Sequence, residues 1–271
     1  MAMNNITLTS GMRSNLFSLQ QTQNLMESTQ TRLSSGKKVN SALDDPINFF
    51  AAQGHTQRAG DLAMRKDEMS EAIQTIKAAD NGISAITDMI ASAKSLAQSA
   101  LASNNTTERA TLSGQYDTMM TQISELRDDS DYKGTNLLDA AQSITVSFDE
   151  SGDSTLAVAG KDGTGALDGT TATTSWAADG DITGDIALLD TARDTLRTSS
   201  KTLSNQLSTI TTRQEFTSKM INTLEDGAAT LVNADLNEEG ANMLMLQTRQ
   251  SLGTTSLSLA SQAAQSVMRL F

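Results

Sequence analysis

The residues with the most obvious chemical potential are acidic, and they fall in three places. Asp44-Asp45 is a carboxylate pair, and Asp149-Glu-Ser-Gly-Asp153 and Asp179-Gly-Asp-Ile-Thr-Gly-Asp185 are acidic turns with oxygen ligands for Ca²⁺. A helix–loop–helix calcium site needs a twelve-residue loop closed by a bidentate Glu. Neither turn completes that loop, so both read as solvated turns that leave Asp149, Glu150, Asp153, Asp179 and Asp181 on the surface. Two adjacent carboxylates rarely converge on one substrate atom, so Asp44 and Asp45 read as a helix N-cap or a partner contact. The glycine-rich stretch Gly160–Gly169 lacks the Gly-Lys-Ser/Thr ending of a phosphate loop. His55 is the single histidine, and it falls inside a predicted helix as a surface or packing residue. With no Cys, disulfides, thiolate nucleophiles and cysteine metal sites are excluded. We assign no catalytic residue, no metal site and no cofactor from the sequence, and the chain does not read as an enzyme.

Composition describes the scaffold instead. Of 271 residues, 38% are hydrophobic but only 3% aromatic, with 13 Met, one Trp and one Pro. A core drawn from Leu, Ile, Met and Ala suits helix-on-helix packing better than a sheet sandwich. The net charge is −12, and residues 128–190 hold thirteen acidic and two basic groups of it. No basic stripe is present to neutralise phosphates, which argues against nucleic acid as a partner. No apolar window of about 18 residues exists, so no membrane span is expected. The first residues, Met1-Ala-Met-Asn-Asn-Ile, lack the basic and apolar regions of a cleavable secretory signal.

Helical periodicity runs through most of the chain. The stretch Met243–Phe271 has only Arg249 and Arg269 as charges. One 4-3 ladder in it is Leu246, Gln250, Gly253, Leu257, Ala260, Ala264, Val267 and Phe271; a second adds Met245, Leu252, Leu259, Ala263 and Leu270. The other end carries a matching stripe, Met12, Leu16, Leu19, Gln23, Met26, Gln30 and Leu33. Two low-charge stripes at the two ends of one chain predict that the termini pair with each other. Between them, Arg32–Pro46 is a polar connector with Gly36 as a helix cap and Pro46 in a first helical turn. Residues 47–101 read as a long helix, with Leu62, Met69, Ile73, Ile76, Ile83, Ile90 and Ala97 at heptad-like spacing. A shorter helix carries Leu112, Tyr116, Met119, Ile123 and Leu126. Ile144–Phe148 and Thr155–Ala159 alternate as a β-hairpin, and residues 160–184 read as loop with little to bury. From Leu189 a long helical ladder runs to Leu231, and Asn233–Gly240 interrupts it before the final stretch.

This order is close to a palindrome of helices. The predicted fold is mainly α: long antiparallel coiled-coil helices forming a rod, with a small β-hairpin and loop region in the middle of the chain. The segments are 1–40, an N-terminal inner helix; 41–185, the long helices, hairpin and acidic middle; 186–232, a returning helix packed on 47–127; and 233–271, a C-terminal inner helix.

Three motifs carry a family resemblance. Thr31-Arg-Leu-Ser-Ser-Gly36, Asn40-Ser-Ala and Asp44-Asp45 resemble the N-terminal signature of bacterial flagellins. Tyr132-Lys-Gly-Thr-Asn-Leu-Leu138 is similar to the segment that leads into the flagellin hairpin, and Ala234-Asp235, Ala241-Asn-Met and Gln262-Ala-Ala-Gln265 resemble the closing helix. The resemblance covers about 1–135 and 185–271 and implies a self-polymerising subunit of the extracellular flagellar filament. Its assembly core would be Met12, Leu16, Leu19, Met26, Leu33, Leu246, Leu252, Leu257, Leu259, Val267, Leu270 and Phe271. Its inter-subunit connector would be Arg32, Ser35, Gly36, Asn40, Asp44 and Asp45. The implied partners are further copies of the chain, the flagellar export apparatus, a secretion chaperone, the filament cap and the hook–filament junction proteins. Pro46-Ile-Asn-Phe-Phe50 departs from the small residues common there, which leaves a hook–filament junction protein as one alternative. A non-polymerising coiled-coil adaptor is the other.

Overall fold

The computed structural model describes residues 10–165, 167 and 169–268, without the side chains of residues 264, 267 and 268. Five helices and one hairpin follow in order: α1 (Ser10–Ser35), α2 (Pro46–Ala102), α3 (Thr106–Asp128), β1 (Ser143–Ser147), β2 (Thr155–Ala159), α4 (Asp179–Val232) and α5 (Leu236–Met268). Two compact units result, Met1–Gln57 with Thr223–Phe271 and Arg58–Asn222.

The unit Arg58–Asn222 is built on the sevenfold spacing of its two long helices. In α2, Met69, Ile76, Ile83, Ile90 and Ala97 are all buried; in α4, Leu189, Leu196, Leu203, Ile210 and Thr217 are buried at the same interval. A seven-residue repeat keeps one seam facing one partner along the whole helix. Polar pairs beside the seam fix direction and register. Lys94 Nζ donates to both Asp190 oxygens at 2.6 and 2.8 Å, Ser200 Oγ donates to Asp80 Oδ1 at 2.7 Å, and Gln214 Nε2 donates to Ser70 Oγ at 2.6 Å. Ascending numbers in α4 meet descending numbers in α2, so the two run antiparallel.

Helix α3 starts at an Asn105 cap, whose Oδ1 accepts from Thr107 N at 3.0 Å, and buries Tyr116, Met120 and Ile123. Residues 129–142 then cross back over α2. Gly82, in the α2 interior, makes room for them: a Cβ there would overlap the Ser130 side chain and sit 2.8 Å from Leu138 Cδ1. The hairpin pairs antiparallel from Ser143↔Ala159 to Ser147↔Thr155. Phe148 anchors it under the Arg213 guanidinium, 5.2 Å from the ring centroid, and Glu150 pairs with Arg58 at 2.5 Å.

Residues 160–184 differ from the sequence expectation. They are not an unburied loop, because Thr164, Leu167, Trp176 and Ile182 are buried. Helix α4 starts at Asp179 rather than near Leu189. The cause is Asp185, buried within the first turns of α4. Its carboxylate accepts from Thr173 N at 2.9 Å, Thr173 Oγ1 at 2.8 Å and Trp176 Nε1 at 2.7 Å. The Trp176 ring lies 5.1 Å from that of Tyr116. Burial, with the charges of Asp185 and Asp117 nearby, raises the Tyr116 hydroxyl well above its ordinary value.

In the unit Met1–Gln57 with Thr223–Phe271, α1 and α5 pack antiparallel. Asn15 Nδ2 donates to Gly253 O at 3.4 Å, Gln250 Nε2 to Gln23 Oε1 at 3.0 Å, and Arg32 pairs with Glu239 at 3.1 Å. The expected break Asn233–Gly240 shrinks to three residues. Asp235 caps α5, accepting from Asn237 N at 2.9 Å, and Glu238 and Glu239 belong to the first turn, where acidic groups favour the helix dipole.

Candidate assembly surface

Along α1 and α5 the seam is thin, with Thr and Glu set among its Leu and Met residues. Its buried residues are Met12, Thr22, Thr29, Glu239 and Leu246, with Leu19, Met26, Leu33 and Leu257 half-buried beside them. The α1 seam therefore runs Met12, Asn15, Leu19, Thr22, Met26, Thr29, Leu33. It alternates steps of 3 and 4 in the opposite order from the ladder read in the sequence. Leu16 consequently lies outside it, and Thr22 and Thr29 replace Gln23 and Gln30. Close approach is the physical reason. Gly253 brings the α5 backbone to Leu19, whose Cδ2 would be 2.5 Å from an added Cβ. Small Thr side chains fit that gap, and Thr22 Oγ1 folds onto Ser18 O at 2.9 Å. In α5 the first ladder faces the seam at Leu246, Gln250, Gly253 and Leu257, while Met245, Leu252 and Leu259 of the second are exposed.

The outer faces are apolar as well. Leu16, Phe17 and Leu25 on α1 and Leu244, Met245, Leu252 and Leu259 on α5 are each between 42% and 71% exposed. Two helices of 26 and 33 residues thus bury few large side chains and display many. Helices of this kind depend on packing rather than on propensity for stability. The calls on Leu270 and Phe271, and on the Val267 side chain, lie outside the described residues.

The connector residues form a braced corner. Gly36 adopts φ +69°, a left-handed conformation that suits Gly, and its N–H closes α1 onto Arg32 O at 2.8 Å. Lys38 N donates to Val232 O at 2.7 Å and Ala234 N to Gly36 O at 3.0 Å, with a bridge between Lys37 and Asn233. These bonds tie both inter-helix connectors together. Asp45 caps α2 through Ile47 N and Asn48 N, each at 3.1 Å. Asp44 Oδ2 accepts from Asn40 N at 3.0 Å and Ser41 N at 2.9 Å. The Asn40 and Ser41 amides hold the Asp44 carboxyl below its usual value, and the Asn48 amide does the same for Asp45. Ser35 Oγ accepts from Lys37 N at 3.2 Å. Connector and seam meet at Arg32, whose partner Glu239 was not singled out in the sequence. The signal was there: an acidic first turn after a cap.

The acidic turns belong to the unit Arg58–Asn222. Asp149 Oδ1 accepts from Gly152 N at 2.9 Å, and Ser151 Oγ bridges Asp149 and Asp153 at 2.9 and 3.0 Å. Asp179 is exposed and pairs with the buried Arg109 at 2.5 Å; Asp181, half-buried, accepts from Ala178 N at 3.2 Å and from the Thr174 hydroxyl. Their oxygens are engaged in turn and capping bonds. Among the described residues no group of three His, Cys, Asp or Glu could hold a metal ion, and no helix is long and apolar enough to cross a membrane. His55 is half-buried in α2 and packs near Gly227.

Residues 4–143 match the bacterial flagellin N-terminal helical region. The chain is 30% identical over 272 residues to Flagellin FljM of Caulobacter vibrioides, covering 100% of both. It is 28% identical to Flagellin FljK of the same organism, again over 100% of both. To a flagellin of Brucella melitensis it is 26% identical over 272 residues, covering 94% of this chain and 95% of that one.

Proposed function

The chain belongs to the bacterial flagellin family and is a structural subunit of the flagellar filament, and from that premise we propose that its two terminal helices form the polymer's inner core. One observation carries this reading: beside the apolar residues in their seam, α1 and α5 expose a second set, Leu16, Phe17, Leu25, Leu244, Met245, Leu252 and Leu259, facing away from it. A surface of Leu, Phe and Met with so few charges is unfavourable in water and favourable once neighbouring copies cover it. Met12, Leu19, Met26, Leu33, Leu246 and Leu257 hold the pair together. Leu16, Leu252 and Leu259 supply contacts to other copies, and the apolar end Val267, Leu270 and Phe271 continues that role. The braced connector Arg32–Asp45 ties the pair to the start of α2 and the end of α4. The acidic middle presents Glu150, Asp153 and Asp179 to solvent, with Asp149 and Asp181 half-buried beside them.

Polymerisation and full ordering of the termini are then linked, since anything that binds only the folded form stabilises it. Export through the flagellar secretion apparatus, with a chaperone holding the C-terminal segment and a cap assisting at the tip, follows from the family reading. The relatives are named flagellins, and nothing comparable favours a junction protein or a non-polymerising adaptor.

Deleting residues 243–271 tests the assignment. The truncated protein should remain a soluble, helical monomer under conditions in which the full chain forms filaments visible by electron microscopy. Normal filaments from the truncation would overturn the inner-core role.

A further inference from the structure

Of the three glycines in α2, Gly82 is the one that packing requires. A Cβ on Gly54 or Gly60 would meet nothing within 4 Å, whereas one on Gly82 would overlap Ser130 and press on Leu138. The residue before it is Asn81, and this is the single Asn-Gly pair in the chain. Such a pair is prone to spontaneous deamidation, because glycine has no Cβ to keep its amide nitrogen from the asparagine side chain. The Gly82 nitrogen attacks Asn81 Cγ and gives up its proton. The Cγ–Nδ2 bond breaks, and the side-chain nitrogen leaves with that proton as ammonia. The succinimide that remains takes up one water at either carbonyl, giving aspartate or isoaspartate at position 81. Water is the only co-reactant.

Inside α2 this step is closed. Asn81 is exposed, so access of water is not the obstacle. The obstacle is the backbone: helical ψ holds the Gly82 nitrogen out of line with Asn81 Cγ, and its N–H is bonded to the carbonyl four residues back. Freeing it means opening the middle of α2, where the neighbours are held. Asp80 Oδ1 accepts from Ser200 Oγ at 2.7 Å, Ala79 and Ile83 are buried, and Ser130 and Leu138 lie against Gly82. An opening of that size belongs to unfolding of the core rather than to fraying. The two products then differ in effect. Aspartate at an exposed position leaves the main chain unchanged. Isoaspartate adds a methylene to the main chain between Ile76 and Ile83, where the sevenfold seam loses its register.

We propose that Asn81-Gly82 is a deamidation site that the folding of α2 shuts. A chain that stays unfolded is marked at position 81, and isoaspartate there bars it from folding. The age of the unfolded chain is thereby coupled to its capacity to fold, whatever the chain later assembles into.

The full chain kept in guanidinium chloride at mildly alkaline pH, beside the same chain in buffer of equal pH, tests the site by peptide mass spectrometry. Deamidation at Asn81 should run at least about a hundredfold faster in denaturant and should outpace that of every other Asn. Equal rates in the two solutions, or an Asn elsewhere that reacts first, overturns the site. After dilution from denaturant, isoaspartate, read by methyl transfer with an isoaspartyl methyltransferase, should concentrate in the fraction that stays unfolded. Isoaspartate chains that refold in proportion to the rest overturn the block. Asn81→Gln, whose longer side chain disfavours the five-membered ring, should gain no label at position 81. Asn81→Asp should refold like the unaltered chain; its failure to do so would assign the damage to charge rather than to the main chain and overturn the block.

Discussion

Asp185 shows how much one residue decides. Read in sequence it is the last acid of a solvent-facing turn; in the fold it is buried and accepts three hydrogen bonds. Those bonds hold Thr174, Ser175 and Trp176 at φ 49°, 53° and 61°, a left-handed run that costs L-residues about 1–2 kcal/mol each. Replacing Asp185 by Ala leaves the Thr173 amide, the Thr173 hydroxyl and the Trp176 indole without their acceptor. A buried group left unpaired costs about 1–3 kcal/mol. The Asp185→Ala variant should lose stability on at least that scale in urea. Trp176, the single tryptophan, should report it through a red shift in native-state emission. An unshifted spectrum with unchanged stability would mean that the Asp185 bonds contribute nothing. Sequence reasoning missed this anchor because an Asp among Gly and Thr looks alike whether water or an indole faces it.

At the scale of elements, the helices fall into two kinds that the same apolar periodicity describes. Leu203 in α4 is fully buried, whereas Leu252 in α5 is 67% exposed. Leu203→Ala removes core volume and should lower monomer stability by about 2–5 kcal/mol in denaturant titration. Leu252→Ser should change monomer stability by less than about 0.5 kcal/mol and yet hinder filament growth measured by light scattering. Equal effects of both substitutions on the monomer would argue that α5 is packed like α4. The heptads of α2 and α4 were legible because both partners lie in one chain and repeat every seven residues. The α1 seam was legible only in part. Leu16 outranks Asn15 on hydrophobicity, but Gly253 decides which face comes close, and that choice needs both helices in place.

At the scale of the whole molecule, charge sets the range of pH in which the chain is stable. Lys94 holds the Asp190 carboxyl below its ordinary 3.8, and Lys133 holds Glu71 below 4.5. Backbone amides do the same for Asp44 and Asp45. A carboxyl with a lowered folded value contributes stability above its unfolded value and loses it as pH falls through the folded one. Lys133 is the mirror case: Glu71 raises it above 10.5, so its contribution is present below that value and is lost as pH rises further. Thermal midpoints followed by circular dichroism should therefore be level between about pH 5 and 10, falling below about pH 4 and again above about pH 11. Asp190→Asn should flatten the acid limb; an acid limb identical to that of the unaltered chain would show that the Lys94 pair does not set it.

The sequence alone determined the helical class, the hairpin, the two long seams and the family, because each is written in local spacing: sevens for a seam, twos for a strand, short motifs for the connector. What it could not determine was which of several apolar faces closes inward. That choice depends on backbone approach at Gly253 and Gly82, on the burial of Asp185 and Trp176, and on the pairing of Lys38 with Val232. Most of these join residues far apart in the chain, and a side chain's hydrophobicity is the same whether its partner is its own fold or another copy. Only the tertiary structure separated the residues that close inward within this chain from those it leaves exposed.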